Sequence, residues 1–180
     1  MFQIDVVEQC RANNRQAQIQ LYKQYCGGMF CVAMRYVKNG DDAEDVVQES
    51  FIKAFQKLHQ FKGEVTFGAW LKRIVINKSI DFLKAKKQHT VALDENYMQV
   101  SEDDDWTVEN DITLDQVKTA ITKLPDKYRY VLMMFLIEGY DHREIAQVLK
   151  LTETTSRTRL LRGKSYLKEL LKEKVYGTGS

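Results

Sequence analysis

A single proline, Pro125, and nine glycines punctuate 180 residues. A chain this poor in backbone breakers, with apolar residues recurring at the helical period, predicts an all-α fold. The length allows one medium domain or two small ones joined by a linker. Apolar residues make up 44% and charged residues 29%, the balance of a folded chain and not of a disordered one. No apolar run approaches the roughly 18 residues of a membrane span, so no membrane insertion is expected. The N-terminal MFQIDVVEQC has neither the basic head nor the apolar stretch of a secretory signal, which makes the cytoplasm the expected compartment. Cys10, Cys26 and Cys31 are odd in number and lack CxxC or paired-His spacing. They read as reduced thiols, without a disulfide framework or zinc site.

A net charge of +2 hides a strong partition. Residues 1–87 carry 14 Lys/Arg against 9 Asp/Glu, residues 88–116 none against 9, and residues 117–180 13 against 7. Two basic blocks flank an acidic strap, which suggests a polyanion partner for the blocks and a basic partner for the strap. On charge alone, a solvated linker between two ordinary domains is the simpler reading. The strap segment VSEDDDWTVEND lacks helical periodicity and reads as linker, with helix resuming near Glu109 or Thr113. Trp106 within it is a docking candidate. The expected division is a helical domain over 1–88, an acidic linker over 89–112 and a second helical domain over 113–176.

In the first block, Asn14 is placed to cap a helix through Leu21, Tyr22 and Tyr25. Gly27 and Gly28 are expected to interrupt it, and Gly40 to stop the following stretch. Asp41 with Glu44 then forms a capping-box pattern. Ala43, Val47, Phe51, Ala54, Phe55 and Leu58 make the apolar stripe of that helix. Asp45, Gln48 and Glu49 share another face, rich in acceptors and suited to a basic partner. A solvated face would look the same. The loop Phe61–Val65 leads to Thr66, an N-cap for a helix over about Phe67–Lys87. Phe67, Trp70, Leu71, Ile74 and Val75 are its expected core face. Lys72, Arg73, Lys78, Lys84, Lys86 and Lys87 run along it with Asn77. Lysines beside an aromatic loop suit melted DNA, where a base stacked on a ring is worth ~1–3 kcal/mol and lysines supply the salt-dependent phosphate contacts.

In the second block, Leu124-Pro125-Asp126 reads as a helix start, with proline at the first helical position. Tyr128, Val131, Leu132, Phe135 and Leu136 come next at helical spacing, and Gly139 fits a C-terminal cap. Asp141 with Glu144 starts a short helix carrying Ile145, Ala146, Val148 and Leu149. Lys150-Leu151-Thr152 makes a tight turn into a third helix with Thr155, Arg157, Thr158, Arg159, Arg162 and Lys164 near its start. Leu160, Leu167, Leu170 and Leu171 form its apolar side. This is a helix-turn-helix signature, in which the second helix offers its first turns to base edges of the major groove. A plain three-helix bundle with a basic edge is the alternative.

Two stretches resemble a known family. DDAEDVVQESFIKAFQKLHQFKGEVTFGAWLKRIVINKSIDFLKAKK resembles the polymerase-binding and promoter-melting region of extracytoplasmic-function sigma factors. LPDKYRYVLMMFLIEGYDHREIAQVLKLTETTSRTRLLRGKSYLKEL resembles their C-terminal helix-turn-helix domain. The resemblance implies that Asp45, Gln48 and Glu49 bind the clamp of bacterial core RNA polymerase. It implies that Phe61, Lys62, Phe67, Asn77 and Lys78 meet the minus-ten element of promoter DNA, with Lys84, Lys86 and Lys87 on phosphates. It assigns Thr155, Arg157, Thr158, Leu161 and Arg162 to the minus-thirty-five element, with Arg159 and Lys164 near phosphates. It also implies an anti-sigma partner, and a specificity subunit, not an enzyme. Neither cofactor nor metal is called for, and His59, His89 and His142 lie scattered, His142 reading as a surface residue. The competing function is a stand-alone helix-turn-helix regulator, which would need neither the acceptor-rich helix nor the aromatic loop. The sequence departs from the family pattern at Lys150 and Thr154, often glycine there, at Ser156, usually branched and apolar, and at Gly163, usually alanine. Mid-helix glycine is expected to cost about 0.5–1 kcal/mol at Gly163.

Overall fold

A computed structural model describes residues 2–87 and 112–176, with side chains from residue 5 to residue 173. All regular structure among the described residues is helical. The chain divides into two compact units, the described residues 2–87 falling in the first and 112–176 in the second. Residues 88–111 of the acidic strap, with His89 and Trp106, and the terminal Gly177-Thr178-Gly179-Ser180 lie outside the described residues.

The first unit comprises α1 (Phe2–Arg11), α2 (Arg15–Val37), α3 (Gly40–Gln56), a 3-10 turn (Leu58–Gln60) and α4 (Phe67–Lys87). Helices α2, α3 and α4 pack on one another, and α1 packs on α2. The sequence reading did not anticipate α1, although Val6, Val7 and Cys10 supply it with a buried edge. Asn14 caps α2 as expected, its side-chain oxygen accepting from the Gln16 and Ala17 N–H groups at 3.0 and 3.3 Å. Gly27 and Gly28 do not interrupt α2. Each glycine weakens a helix by about 1 kcal/mol, but Leu21, Met29, Val32, Ala33 and Tyr36 are buried on either side of the pair. Packing outweighs the local preference.

Nor does Gly40 stop a helix. Lys38 ends α2 in the left-handed region at φ 60°, and Asn39 caps α3 by accepting from the Asp42 N–H at 3.0 Å. Gly40 is thus the first residue of α3, and the cap falls two positions before Asp41. The acids Asp41 and Asp42 instead complement the dipole in the first turn. Ala43, Val47, Phe51, Ala54 and Leu58 are buried as the stripe requires, joined by Val46 and Ser50. Thr66 caps α4, accepting from the Ala69 N–H at 3.2 Å. Phe67, Leu71, Val75, Ile76 and Ile80 form the inner face of α4, while Trp70 and Ile74 are only half-buried.

The second unit comprises α5 (Leu114–Thr122), α6 (Asp126–Leu132), a π turn (Met133–Ile137), α7 (His142–Leu149) and α8 (Glu153–Tyr176). Thr113 and Gln116 cap α5 reciprocally. Pro125 sits at the N-cap of α6, so the helix begins one residue later than the sequence suggests. Arg129, on α6, is 3% exposed and held by Asp126 at 3.0 Å and the Tyr130 hydroxyl at 3.2 Å. Burial and the Asp126 charge raise the Tyr130 hydroxyl above its ordinary pKa. The π turn has a clear consequence. Its i→i+5 bond, Glu138 N–H to Met133 C=O at 3.0 Å, adds a residue to the turn and rotates the side chains beyond it. Within the turn, Leu136 is 43% exposed while Met133 and Met134 are buried. Gly139 leaves the turn at φ 72°. Both arms of the Asp141–Glu144 capping box are formed, at 2.8 and 3.0 Å.

Candidate polymerase and promoter surfaces

Helix α3 presents Asp45, Gln48 and Glu49 together on one exposed face. The structure also brings two of the sequence-derived sites into contact. The Glu49 carboxylate accepts from Lys78 Nζ of α4 at 3.2 Å. Near the N-terminus of α3, Asp42 meets Lys86 Nζ at 3.2 Å. The acceptor face of α3 and the basic face of α4 are neighbours, and their charges partly satisfy each other. Asn77 and Lys87 are exposed, Lys84 is half-buried, and Lys86 lies 5.8 Å from the Phe82 ring centroid.

The loop before α4 is anchored by aromatic packing. Phe61, half-buried, lies 5.9 Å from Phe67 edge-on and 5.3 Å from Trp70, and Phe67 meets Tyr25 at 5.4 Å. Phe67 is 2% exposed. Its ring belongs to the core of this unit. It positions Phe61. Lys62, Glu64 and Val65 are exposed, with Gly63 at φ 75° making the bend. An open cleft of about 710 Å³ runs between this loop and α1, lined by residues 61–67 and by Val7, Glu8 and Arg11. The Arg11 guanidinium donates to the Phe61 carbonyl and to the Glu8 carboxylate. Sequence reasoning missed Glu8 and Arg11, because their partner in the loop lies fifty positions away.

On α8, Arg157, Thr158 and Leu161 are exposed, Leu161 at 40%. Thr155, Arg162 and Lys164 are half-buried along its flanks, as is Arg159. Arg157 pairs with Glu153 one turn earlier at 3.2 Å. The Thr158 hydroxyl donates to the Thr154 carbonyl at 3.0 Å, which leaves its oxygen able to accept. Lys164 Nζ lies 5.9 Å from the Phe135 ring centroid. Beneath this surface, His142 Nδ1 lies 2.9 Å from the Oγ of fully buried Ser156, and its ring stacks on Phe135 at 5.0 Å. His142 is thus built into the seam between α7 and α8 and is not the plain surface residue expected. Burial, then the Arg157 charge, lowers its pKa below 6.5.

The geometry matches known proteins in both units. Residues 21–89 match the family model for Sigma-70 region 2, and residues 114–167 match that for Sigma-70, region 4. RNA polymerase sigma factor SigV of Bacillus subtilis is 31% identical, over 79% of this chain and 84% of its own length. ECF RNA polymerase sigma factor SigW of the same organism is 29% identical, over 93% and 95%. This chain belongs to the sigma-70 family, among its extracytoplasmic-function sigma factors. The solved structure of CnrH in complex with the cytosolic domain of CnrY is 25% identical with a TM-score of 0.54, covering 94% of this chain and 97% of that one.

Within this sigma factor, the structure bears on three of the departures from the family pattern, at Lys150, Ser156 and Gly163. Lys150 takes the left-handed conformation at φ 55° that ends α7, the kind of position glycine suits best. A Cβ added at Gly163 would lie 2.0 Å from Leu132 Cδ1 and 3.2 Å from Tyr128 Cβ. A methyl group there would require buried Leu132 to shift and would press on Tyr128, so packing of α8 on α6 opposes the helix-propensity cost of glycine. Ser156 accompanies His142, a polar pair where an apolar contact is usual. Among the described residues no group of three or more His, Cys, Asp or Glu is placed to hold a metal, and no helix is long and apolar enough to cross a membrane.

Proposed function

We propose that this sigma factor carries core RNA polymerase to promoters by dividing the work between its units. The observation that carries the reading is the adjacency on the first unit of an acceptor-rich face, a lysine-lined helix and an aromatic loop. Asp45, Gln48 and Glu49 bind the polymerase clamp. Phe61 and Lys62, with Asn77 and Lys78, take the melted minus-ten strand, where a base leaves the stack at a cost that unpaired DNA lowers. Lys84, Lys86 and Lys87 hold phosphates, which makes binding salt-dependent. On the second unit, Thr155, Arg157, Thr158, Leu161 and Arg162 read the minus-thirty-five duplex from the major groove, with Arg159 and Lys164 on the backbone. Residues 89–112 link the units. The protein contributes specificity and no bond-making step, and it works in the cytoplasm with the polymerase. An anti-sigma protein is its inhibitory partner.

The test is co-elution of the purified chain with core polymerase on gel filtration, beside a Gln48→Ala/Glu49→Ala double variant. The expected result is a complex that the double variant weakens. Tight duplex binding by the free chain without a polymerase complex would instead make it a stand-alone regulator.

A further inference from the structure

The loop that carries Phe61 and Lys62 touches a helix that lies outside the matched family region. Helix α1 ends at Arg11, ten residues before the region 2 match begins at residue 21. Its apolar edge, Val6, Val7 and Cys10, is buried, and α1 packs on α2, so the helix is a fixed body. Its polar edge faces the loop. Arg11 donates one nitrogen to the Phe61 carbonyl and another to Glu8, which holds the guanidinium in its aim.

The loop needs such a hold. It is tied at its start, where the Phe61 N–H donates to Leu58 at 3.1 Å, and at its end, where Thr66 caps α4. Between these ties, residues 62–65 are exposed and bend through Gly63. A side chain of arginine gives planar, charge-assisted donors that fix direction as well as distance. The resulting cleft is bounded on one side by the loop and on the other by Val7, Glu8 and Arg11. Its shape therefore depends on where α1 holds Phe61.

We propose that α1 is a latch for the promoter-reading loop, with Arg11 as the positioning residue that sets how sharply the loop discriminates bases. This rests on the proposed role of the loop as a reader of the minus-ten strand. Arg11 acts through Phe61 and leaves the polymerase-binding face of α3 untouched.

The experiment uses the full chain as wild type, Arg11→Ala, Arg11→Lys and a loop variant, Lys62→Ala/Glu64→Ala. One measurement is backbone order of Gly63 and Val65 by NMR relaxation, which needs no DNA. The other is binding of each protein, in complex with core polymerase, to single-stranded minus-ten oligonucleotides bearing each base at each position. Arg11→Ala should lower the loop order parameters from the rigid range of about 0.85 toward 0.6. It should reduce the ratio of best to worst base about threefold to tenfold, the worth of one aligned hydrogen bond. Polymerase binding should stay unchanged, and Arg11→Lys should recover part of both losses. Unchanged loop order in Arg11→Ala overturns the latch. A loosened loop with an unchanged base ratio overturns its role in discrimination. If the loop variant discriminates as well as wild type, the assignment of the loop as reader fails, and the role of Arg11 in discrimination fails with it.

Discussion

Helices α3 and α4 of the first unit are joined across their polar edges by charges, Glu49 to Lys78 and Asp42 to Lys86. In the second unit neutral contacts cross to α8, His142 meeting Ser156 and Gly163 packing against Leu132 and Tyr128, and the Lys164 ammonium also lies over the Phe135 ring. One ion pair of α8, Arg157 with Glu153, lies within the helix. Exposed ion pairs are worth about 0–1 kcal/mol and exchange readily for other partners. Close apolar packing does not exchange, and it resists displacement. The difference suits the proposed division of work, in which the first unit opens its lysines to a strand that appears only on melting and the second holds α8 against a duplex whose groove is already formed.

The sharpest way to break this comparison is a methyl group at the crossing in the second unit. Gly163→Ala should destabilise by about 1–3 kcal/mol through overpacking, despite alanine's better helix propensity. Leu132→Val in the same chain should recover part of that loss. Gly68→Ala in the first unit should cost less, because its Cβ would meet the edge of the Tyr25 ring at 2.9 Å, where the ring can turn aside. Urea denaturation of the full chain checks all three. Equal losses at Gly163 and Gly68 would erase the contrast in packing.

A second effect depends on pH. His142 is held below 6.5 chiefly by burial, with Arg157 and Lys164 acting in the same direction and Glu153 and Asp141 against it. As pH falls past 6.5, the unfolded chain takes up a proton before the native chain does. Stability of this unit is therefore full above that value and declines below it. Denaturation at about pH 7.5 and about pH 5.5 should show the decline, and His142→Gln should flatten it. A decline of the same size in His142→Gln would place its origin elsewhere.

The smallest effect belongs to the charged crossing. A double-mutant cycle of Glu49→Gln and Lys78→Met should give a coupling of about 0.2–1 kcal/mol that shrinks with added salt. A coupling of several kcal/mol, insensitive to salt, would make this pair as fixed as the neutral seam.

Much of the fold was legible because its signals are local. Asn14, Thr66 and the Asp141–Glu144 box act within four residues, and each forms as the sequence indicates. The stripe of α3 and the exposure of Asp45, Gln48 and Glu49 are set by helical period alone. Where two local signals competed, the reading slipped: Asn39 took the cap that Asp41 also fits, because Lys38 had already ended α2.

The sequence by itself determined an all-helical chain, its family, most helix starts and the candidate faces, since caps and amphipathic periods are encoded in near neighbours. Only the tertiary structure decided that α2 runs through Gly27 and Gly28, that Leu136 is exposed within a π turn, that Phe67 is core, and that Arg11 grips the loop. It also decided how tightly Gly163 packs against Leu132 and Tyr128. Each of these depends on atoms far apart in the chain that come within a few ångströms only once the helices pack, and no short-range pattern records which helix will arrive there.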